Sequence, residues 1–214
     1  VPLFPTYNQH IRKQKKELVM SELPKDLYKP ETDNRNSSRA ILMITDNGVE
    51  DLEFFYPYYR FIETGFKVDV ATPDGAEFKG KQGLGLKESK KVDDVQAESY
   101  ELLYLPGGKA PAILKNNRRV IELTQKFLAL GKPISAICHG PQILAAAHII
   151  EGRKIAAWPE VEEEVRAAGA QYQNKELVVD GPYITARWPA DLPVHVRATL
   201  EILGSIKAEA RKTA

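Results

Sequence analysis

Short apolar runs that alternate with helical stretches constrain this chain more than any other feature. Residues 40–45 (AILMIT), 102–105 (LLYL) and 133–138 (PISAIC) are continuously apolar, as strands buried on both faces of a sheet are. Residues 66–71 (FKVDVA) alternate, which also fits a strand. Between them, 52–64 reads as a helix that Pro57 would kink and Gly65 would end. Residues 119–130 place apolar side chains at 120, 121, 123, 127, 128 and 130, one face of a helix, and 140–147 starts a helix on Gly-Pro. The segment 72–92, with four glycines, reads as a hairpin-bearing excursion. Further on come a strand near 154–157, a helix near 160–168, a strand or hairpin at 177–186 and a closing helix near 192–203. Strands alternating with helices demand parallel βαβ units with right-handed crossovers, so the expected fold class is α/β: a doubly wound, mostly parallel sheet sandwiched by helices.

The division expected is a polar N-terminal arm at 1–38 and an α/β domain at 39–214. The arm holds the basic run RKQKK at 12–16 and a DNRNSS patch at 33–38, and it is expected to wrap the domain or a partner subunit. It has no 7–15-residue apolar core of a secretion signal, and its acids Glu17, Glu22, Asp26 and Glu31 do not suit a transit peptide. Lys plus Arg total 30 against 29 for Asp plus Glu, a balance that argues against a nucleic-acid binder or an anionic-membrane binder. No run approaches the ~20 apolar residues of a membrane span. The single cysteine rules out an intrachain disulfide and cysteine-rich metal sites. The four histidines form no HExxH-type pair, so no metal site is expected. Together these features point to a cytoplasmic protein whose chemistry rests on Cys, His and carboxylates.

In open α/β sheets ligands bind beyond the carboxyl ends of the strands, near the reversal in strand order. Three of the strands deliver polar groups there. The first delivers Asp46 and Glu50, the 102–105 strand delivers Gly107 and Gly108, and the 133–138 strand delivers Cys138 and His139. A cysteine between an apolar strand and a helix start resembles a nucleophile elbow, where free amides and the helix dipole should lower the thiol's pKa and can bind an oxyanion. A lone cysteine can equally be a small buried hydrophobe. His139 is either an acid–base group beside that thiol or a loop residue. Glu50 is either the functional acid or, like Asp51, a cap for the next helix. Pro106-Gly107-Gly108 is a tight turn that also lets backbone amides approach a ligand. His148 and His195 are expected to be without chemistry. Arg187-Trp188 can shape a pocket rim, and Phe54, Phe55, Tyr58 and Tyr59 are expected to pack the helix, with a wet face that can form an interface.

At these residues the sequence resembles the PfpI/ThiJ superfamily, which includes the Parkinson-associated deglycase and archaeal intracellular proteases. The resemblance is carried by DNGVEDLEFFYPYYRF (46–61), LYLPGGKAPAIL (103–114), GKPISAICHGPQILAAAHIIEGRKIAAWPEV (131–161) and VVDGPYITARWPADLP (178–193). It implies a flavodoxin-like sandwich with Cys138 as nucleophile, Glu50 as the acid hydrogen-bonded to its sulfur, and His139 as acid–base neighbour. It also implies an oxyanion hole from the amides of Gly108 and His139, with Gly107 in the same substrate-binding loop. It implies no cofactor and a homo-oligomer, dimeric or hexameric. Protease-like members often carry, where this chain has Ala112, a Glu or Asp that reaches a neighbouring subunit's histidine, and relatives often carry Tyr where this chain has Trp158. A methyl group cannot orient an imidazole, so Ala112 weakens a peptidase reading.

The function expected is a cysteine-dependent, glutathione-independent glyoxalase III-type or deglycase enzyme. Its substrate would be a small-molecule carbonyl of the methylglyoxal class or an adduct of one. Two alternatives accompany it: a PfpI-type cysteine peptidase or amidase, and a redox-sensing or chaperone-like stress protein in which Cys138 oxidises.

Overall fold

A computed structural model describes residues 27–30 and 34–204. In chain order the elements are β1 (Ala40–Ile44), α1 (Asp51–Glu63), β2 (Lys67–Thr72), β3 (Phe78–Lys79), β4 (Gly85–Leu86), β5 (Lys90–Lys91), β6 (Leu102–Leu105), α2 (Ala110–Leu114), α3 (Arg118–Ala129), β7 (Ile134–Ile137), α4 (Pro141–Ala146), β8 (Lys154–Ile155), α5 (Glu162–Ala167), β9 (Gln171–Tyr172), β10 (Val178–Asp180), β11 (Tyr183–Ala186) and α6 (Leu192–Ile202). Seven strands form the central sheet in the order β10-β11-β7-β6-β1-β2-β5. Every pairing in it is parallel except β10 with β11. This is the doubly wound sandwich that the alternation of elements demands, of the flavodoxin-like kind that the resemblance implies.

The three continuously apolar runs become the middle of the sheet. All of β1, β6 and β7 is buried, and Leu42, Met43, Ile44 and Leu102 through Leu105 are fully covered. Each such aliphatic side chain contributes about 1.5–3 kcal/mol by leaving water. The chain runs from β1 to β2 on one side and returns to β6 on the other, so strand order reverses between β1 and β6. The crevice of the fold therefore opens at the carboxyl ends of β1, β6 and β7.

Pro57 lies inside α1, which runs on through it and ends just before Gly65 as expected, held by its buried face of Phe54, Phe55, Tyr58 and Phe61. Two local readings differ from expectation. Residues 154–155 leave the main sheet and pair in parallel with β9 as a two-stranded unit. The short helix α2, with proline in its first turn, has too few residues to show a period in sequence.

Most of the expected N-terminal arm lies outside the described residues. Of its described part, Tyr28 packs its ring 5.5 Å from Phe55, and its carbonyl accepts a bond from Tyr59 Oη at 2.8 Å. The Asn34 amide donates to the carbonyls of Ile62 (2.6 Å) and Phe66 (3.1 Å), which closes the turn that leaves α1. No helix among the described residues is long and apolar enough to cross a membrane.

Candidate active site

Strand β7 ends at Ile137, and the next residue, Cys138, turns the chain into α4 with φ of 62°. A side chain in the left-handed region is strained by about 1–3 kcal/mol and persists only where its surroundings impose it. Here two backbone bonds impose it: Cys138 N–H donates to Ala186 O at 3.1 Å and Trp158 N–H donates to Cys138 O at 2.9 Å. The elbow expected from the sequence is thus formed. Cys138 is 7% exposed and lines a pocket of about 710 Å³ together with Glu50, Glu53, Lys81, Gly108, His139 and Trp158.

The sulfur has three polar neighbours. His139 Nδ1 lies 3.2 Å from it. The amides of Gly108 and His139 donate toward it. The carboxyl hydrogen-bonded to it belongs to Glu53 and not to Glu50. Glu50 instead bonds Lys81 Nζ at 2.9 Å, so its expected contact with the sulfur is corrected. The reason is helical geometry. Glu50 precedes α1 and faces the loop at 80–84, whereas Glu53, two residues into the helix, lies on its buried side with no exposed surface. Glu50 occupies the N-cap position of α1 but its side chain makes no capping bond, and Asp51 is the first residue of the helix. The Asp51 carboxylate accepts the amides of Gln82 (2.8 Å) and Leu84 (3.1 Å) from that loop.

Gly107 and Gly108 create the contact between acid and sulfur. A Cβ on Gly107 would lie 2.5 Å from Glu53 Oε2 and 2.6 Å from Cys138 Cβ, so a side chain would occupy the space in which they meet. Its amide donates to Glu53 Oε2 at 2.9 Å. Gly107 therefore holds the acid, and its N–H, being committed to that carboxyl, adds nothing to the amides of Gly108 and His139. Gly108 has φ of +79°, and a Cβ there would lie 2.3 Å from Glu50 N.

Burial pushes the Glu53 carboxyl up to about 8, against smaller opposing pulls from its bonds to Cys138 and Gly107. Burial and the neighbouring acid push the Cys138 thiol up as well, while the amides of Gly108 and His139 pull it down. The expected net lowering of the thiol is therefore corrected for the resting pair. Two buried acids in contact cannot both ionise cheaply, and their protons leave in steps that belong to the pair. With Glu53 protonated, its negative charge no longer opposes ionisation of the sulfur, and its O–H can donate to a thiolate. Burial also pushes the His139 imidazole down, so it is mostly neutral at neutral pH. Its ring faces Trp158 at 6.2 Å and 23°, and Trp188 packs edge-on against Trp158 at 6.0 Å, so the pocket has an aromatic wall. Arg187, stacked 4.0 Å over Trp188 and bonded to Asp191, braces that wall from behind.

Glu53 is the acid beside the sulfur that the sequence reading missed, although a signal for it existed. Its neighbours on the helix at 54, 57, 58 and 61 are buried, and a carboxylate placed on that stripe is almost never fully buried unless it is paired. His195 is fully buried, and its Nε2 lies 3.1 Å from Ile184 O and 2.9 Å from Ser135 Oγ, in the layer between β7 and α6 and away from the pocket.

The DJ-1/PfpI family model matches residues 39–202. A deglycase of Pyrococcus horikoshii is 37% identical over 76% of this chain and 98% of its own length. Protein/nucleic acid deglycase 2 of Escherichia coli is 38% identical over 79% of this chain and 99% of its own. Among solved structures, a two-domain protein of Anabaena variabilis with DJ-1/ThiJ/PfpI-like and ferritin-like domains superposes with a TM-score of 0.78 at 30% identity, over 82% of this chain and 52% of that one.

Proposed function

Since the chain belongs to the DJ-1/PfpI family, we propose that it is a cysteine-dependent enzyme of the deglycase and glyoxalase III type, acting on methylglyoxal-like 2-oxoaldehydes or their amine adducts. The observation that carries this is the pairing of a strained, pocket-lining thiol with a buried acid that holds its proton near neutral pH. An aldehyde requires only a sulfur nucleophile and a proton for its oxygen.

In the first step the sulfur bonds to the aldehyde carbon. The carbonyl pair moves to oxygen, which takes a proton from the Cys138–Glu53 pair to give a hemithioacetal. In an amine adduct the sulfur displaces nitrogen from the carbinol carbon, and the amine leaves with the proton. The hydrogen on that carbon is then lost as a proton and one returns to the adjacent carbonyl carbon, so the first carbon is oxidised to a thioester as the second is reduced to an alcohol. Water cleaves the thioester to a 2-hydroxy acid and restores the thiol. His139, with Nδ1 3.2 Å from the sulfur and its ring mostly neutral, is the group proposed to carry the proton between carbons. The amides of Gly108 and His139 serve the oxyanions of addition and hydrolysis.

A peptidase reading gains nothing from the geometry, because Ala112 presents only a methyl group to this pocket. Self-association is proposed alongside the activity, supported by the exposed apolar residues Leu52 and Ile113 at 59% and 54%. The test is methylglyoxal consumption with lactate release, measured on wild type, Cys138→Ala and Glu53→Gln. Loss in the first variant and a drop of about 100-fold in the second are expected. Equal rates in wild type and Cys138→Ala would end the proposal.

A further inference from the structure

The loop at 80–84 is fastened more heavily than a surface turn requires. The Asp51 carboxylate, 2% exposed, takes the amides of Gln82 and Leu84. Lys81 N–H donates to Val49 O at 2.9 Å, Gly80 N–H to Leu84 O at 2.7 Å, and Gly48 N–H to Lys79 O at 2.7 Å. The residue that this fastening presents to the pocket is Lys81, whose ammonium lines the same cavity as the sulfur. It already holds a carboxylate, that of Glu50 at 2.9 Å, with the ammonium side chain 42% exposed and the carboxylate 16%.

The charges on the pocket wall favour a second anion. Lys81, Lys109 and Glu50 line the pocket, while Glu53 and His139 are mostly uncharged at neutral pH, so the lining itself carries two ammonium groups against one charged carboxylate; Glu160, whose charge also acts on His139, is exposed and outside that lining. Glu164, behind the wall, is matched by Lys115 at 2.8 Å and by the Gln142 amide at 2.7 Å. A lysine ammonium is a compact point charge with three donors, so it can bind a second carboxylate alongside Glu50 or in its place.

We propose that Lys81 is a carboxylate anchor, and that the site takes aldehydes whose carbonyl carbon itself bears a carboxylate. This rests on the addition of Cys138 to aldehydes set out above. The covalent step is balanced within the pocket: the S–C bond forms, the carbonyl π bond breaks, and the thiol proton reaches the new alkoxide through Glu53. The product is a hemithioacetal whose carboxylate sits on Lys81. Lys81 is thus a specificity-determining residue, and neutral aldehydes make no use of it.

The experiment follows alkylation of Cys138 by iodoacetamide, read as intact mass, with glyoxylate, acetaldehyde or acetate as protectant. Wild type, Lys81→Met and Lys81→Arg are compared, each scaled to its own unprotected rate. Glyoxylate is expected to protect wild type and Lys81→Arg at about tenfold lower concentration than Lys81→Met, one charge-assisted contact being at stake. Acetaldehyde should protect all three equally, and acetate alone only weakly. A glyoxylate midpoint unchanged in Lys81→Met, or an acetaldehyde midpoint that moves with it, overturns the anchor. Protection by glyoxylate together with no turnover of methylglyoxal would end the proposed function and leave the anchor standing. Protection by no aldehyde would end both.

Discussion

Replacing Glu53 by glutamine should change how stability depends on pH in a direction that the structure fixes. Glutamine keeps the shape, can accept the Gly107 amide and can donate toward the sulfur, but it has no proton to lose. In the folded wild type the carboxyl holds its proton up to about pH 8, whereas in the unfolded chain it releases it near 4.5. Between these values the folded state binds more protons, so stability is present in full below 4.5 and declines as pH rises through 8. At about 1.36 kcal/mol per pH unit, the span from 4.5 to about 8 amounts to about 5 kcal/mol for this nearly buried group.

The glutamine variant lacks that decline. Urea unfolding of both proteins at pH 5 and pH 8, under reductant, should show the wild type losing about 4 kcal/mol relative to the variant across the interval. Taking the difference between the two proteins cancels the titrating groups that do not act on Glu53, His195 included, and Cys138, which is coupled to Glu53, is pushed up and so keeps its proton over this interval. Parallel stability curves would refute the reasoning, because they would mean that Glu53 is ionised throughout and cannot supply a proton to the sulfur.

Three further outcomes are expected. Burial pushes His195 down to about 4 from its usual 6.5, so its contribution is present above 6.5 and is lost as pH falls toward 4; His195→Gln should flatten the acid limb of a thermal-melt profile by about 3 kcal/mol. Gly108→Ala forces a side chain into φ of +79° and against the Glu50 amide, and should cost about 2 kcal/mol or more in urea unfolding together with most of the thiol's reactivity toward iodoacetamide. Trp158→Ala removes the ring facing His139 and should lower kcat/KM about tenfold while the melting temperature moves only a few degrees.

The sheet was legible because its central strands are buried on both faces, and burial on both faces leaves a continuous apolar word in the sequence, as in AILMIT and LLYL. Cys138 was legible for a related reason: the strand stops just before it and a helix starts three residues later. The acid was less so. VED at 49–51 offered two carboxylates at the loop, the obvious place for a polar group, and the third sat one helical turn later among aromatic residues. Which carboxylate meets the sulfur depends on the rotation of α1 over the sheet, and that rotation is set by Phe54, Tyr58 and Phe61 packing beneath it, a tertiary fact that a local motif does not encode.

What joins the two halves of the site is the absence of a side chain. Glu53 comes from α1 and Cys138 from the end of β7, two elements far apart in sequence, and they meet across Gly107 because nothing projects from it. A Gly107→Ala substitution should therefore separate acid from sulfur while leaving both residues in the sequence. Its Cβ would need space within 2.6 Å of both Glu53 Oε2 and Cys138 Cβ, so the carboxyl must swing away and its bond to the Gly107 amide must lengthen. Activity should fall as far as in Glu53→Gln, about 100-fold, and the double variant Gly107→Ala/Glu53→Gln should lose little more than either alone. If the two losses multiply instead, Gly107 acts on the sulfur by a route other than Glu53, and the shared proton is not what the glycine is there to allow.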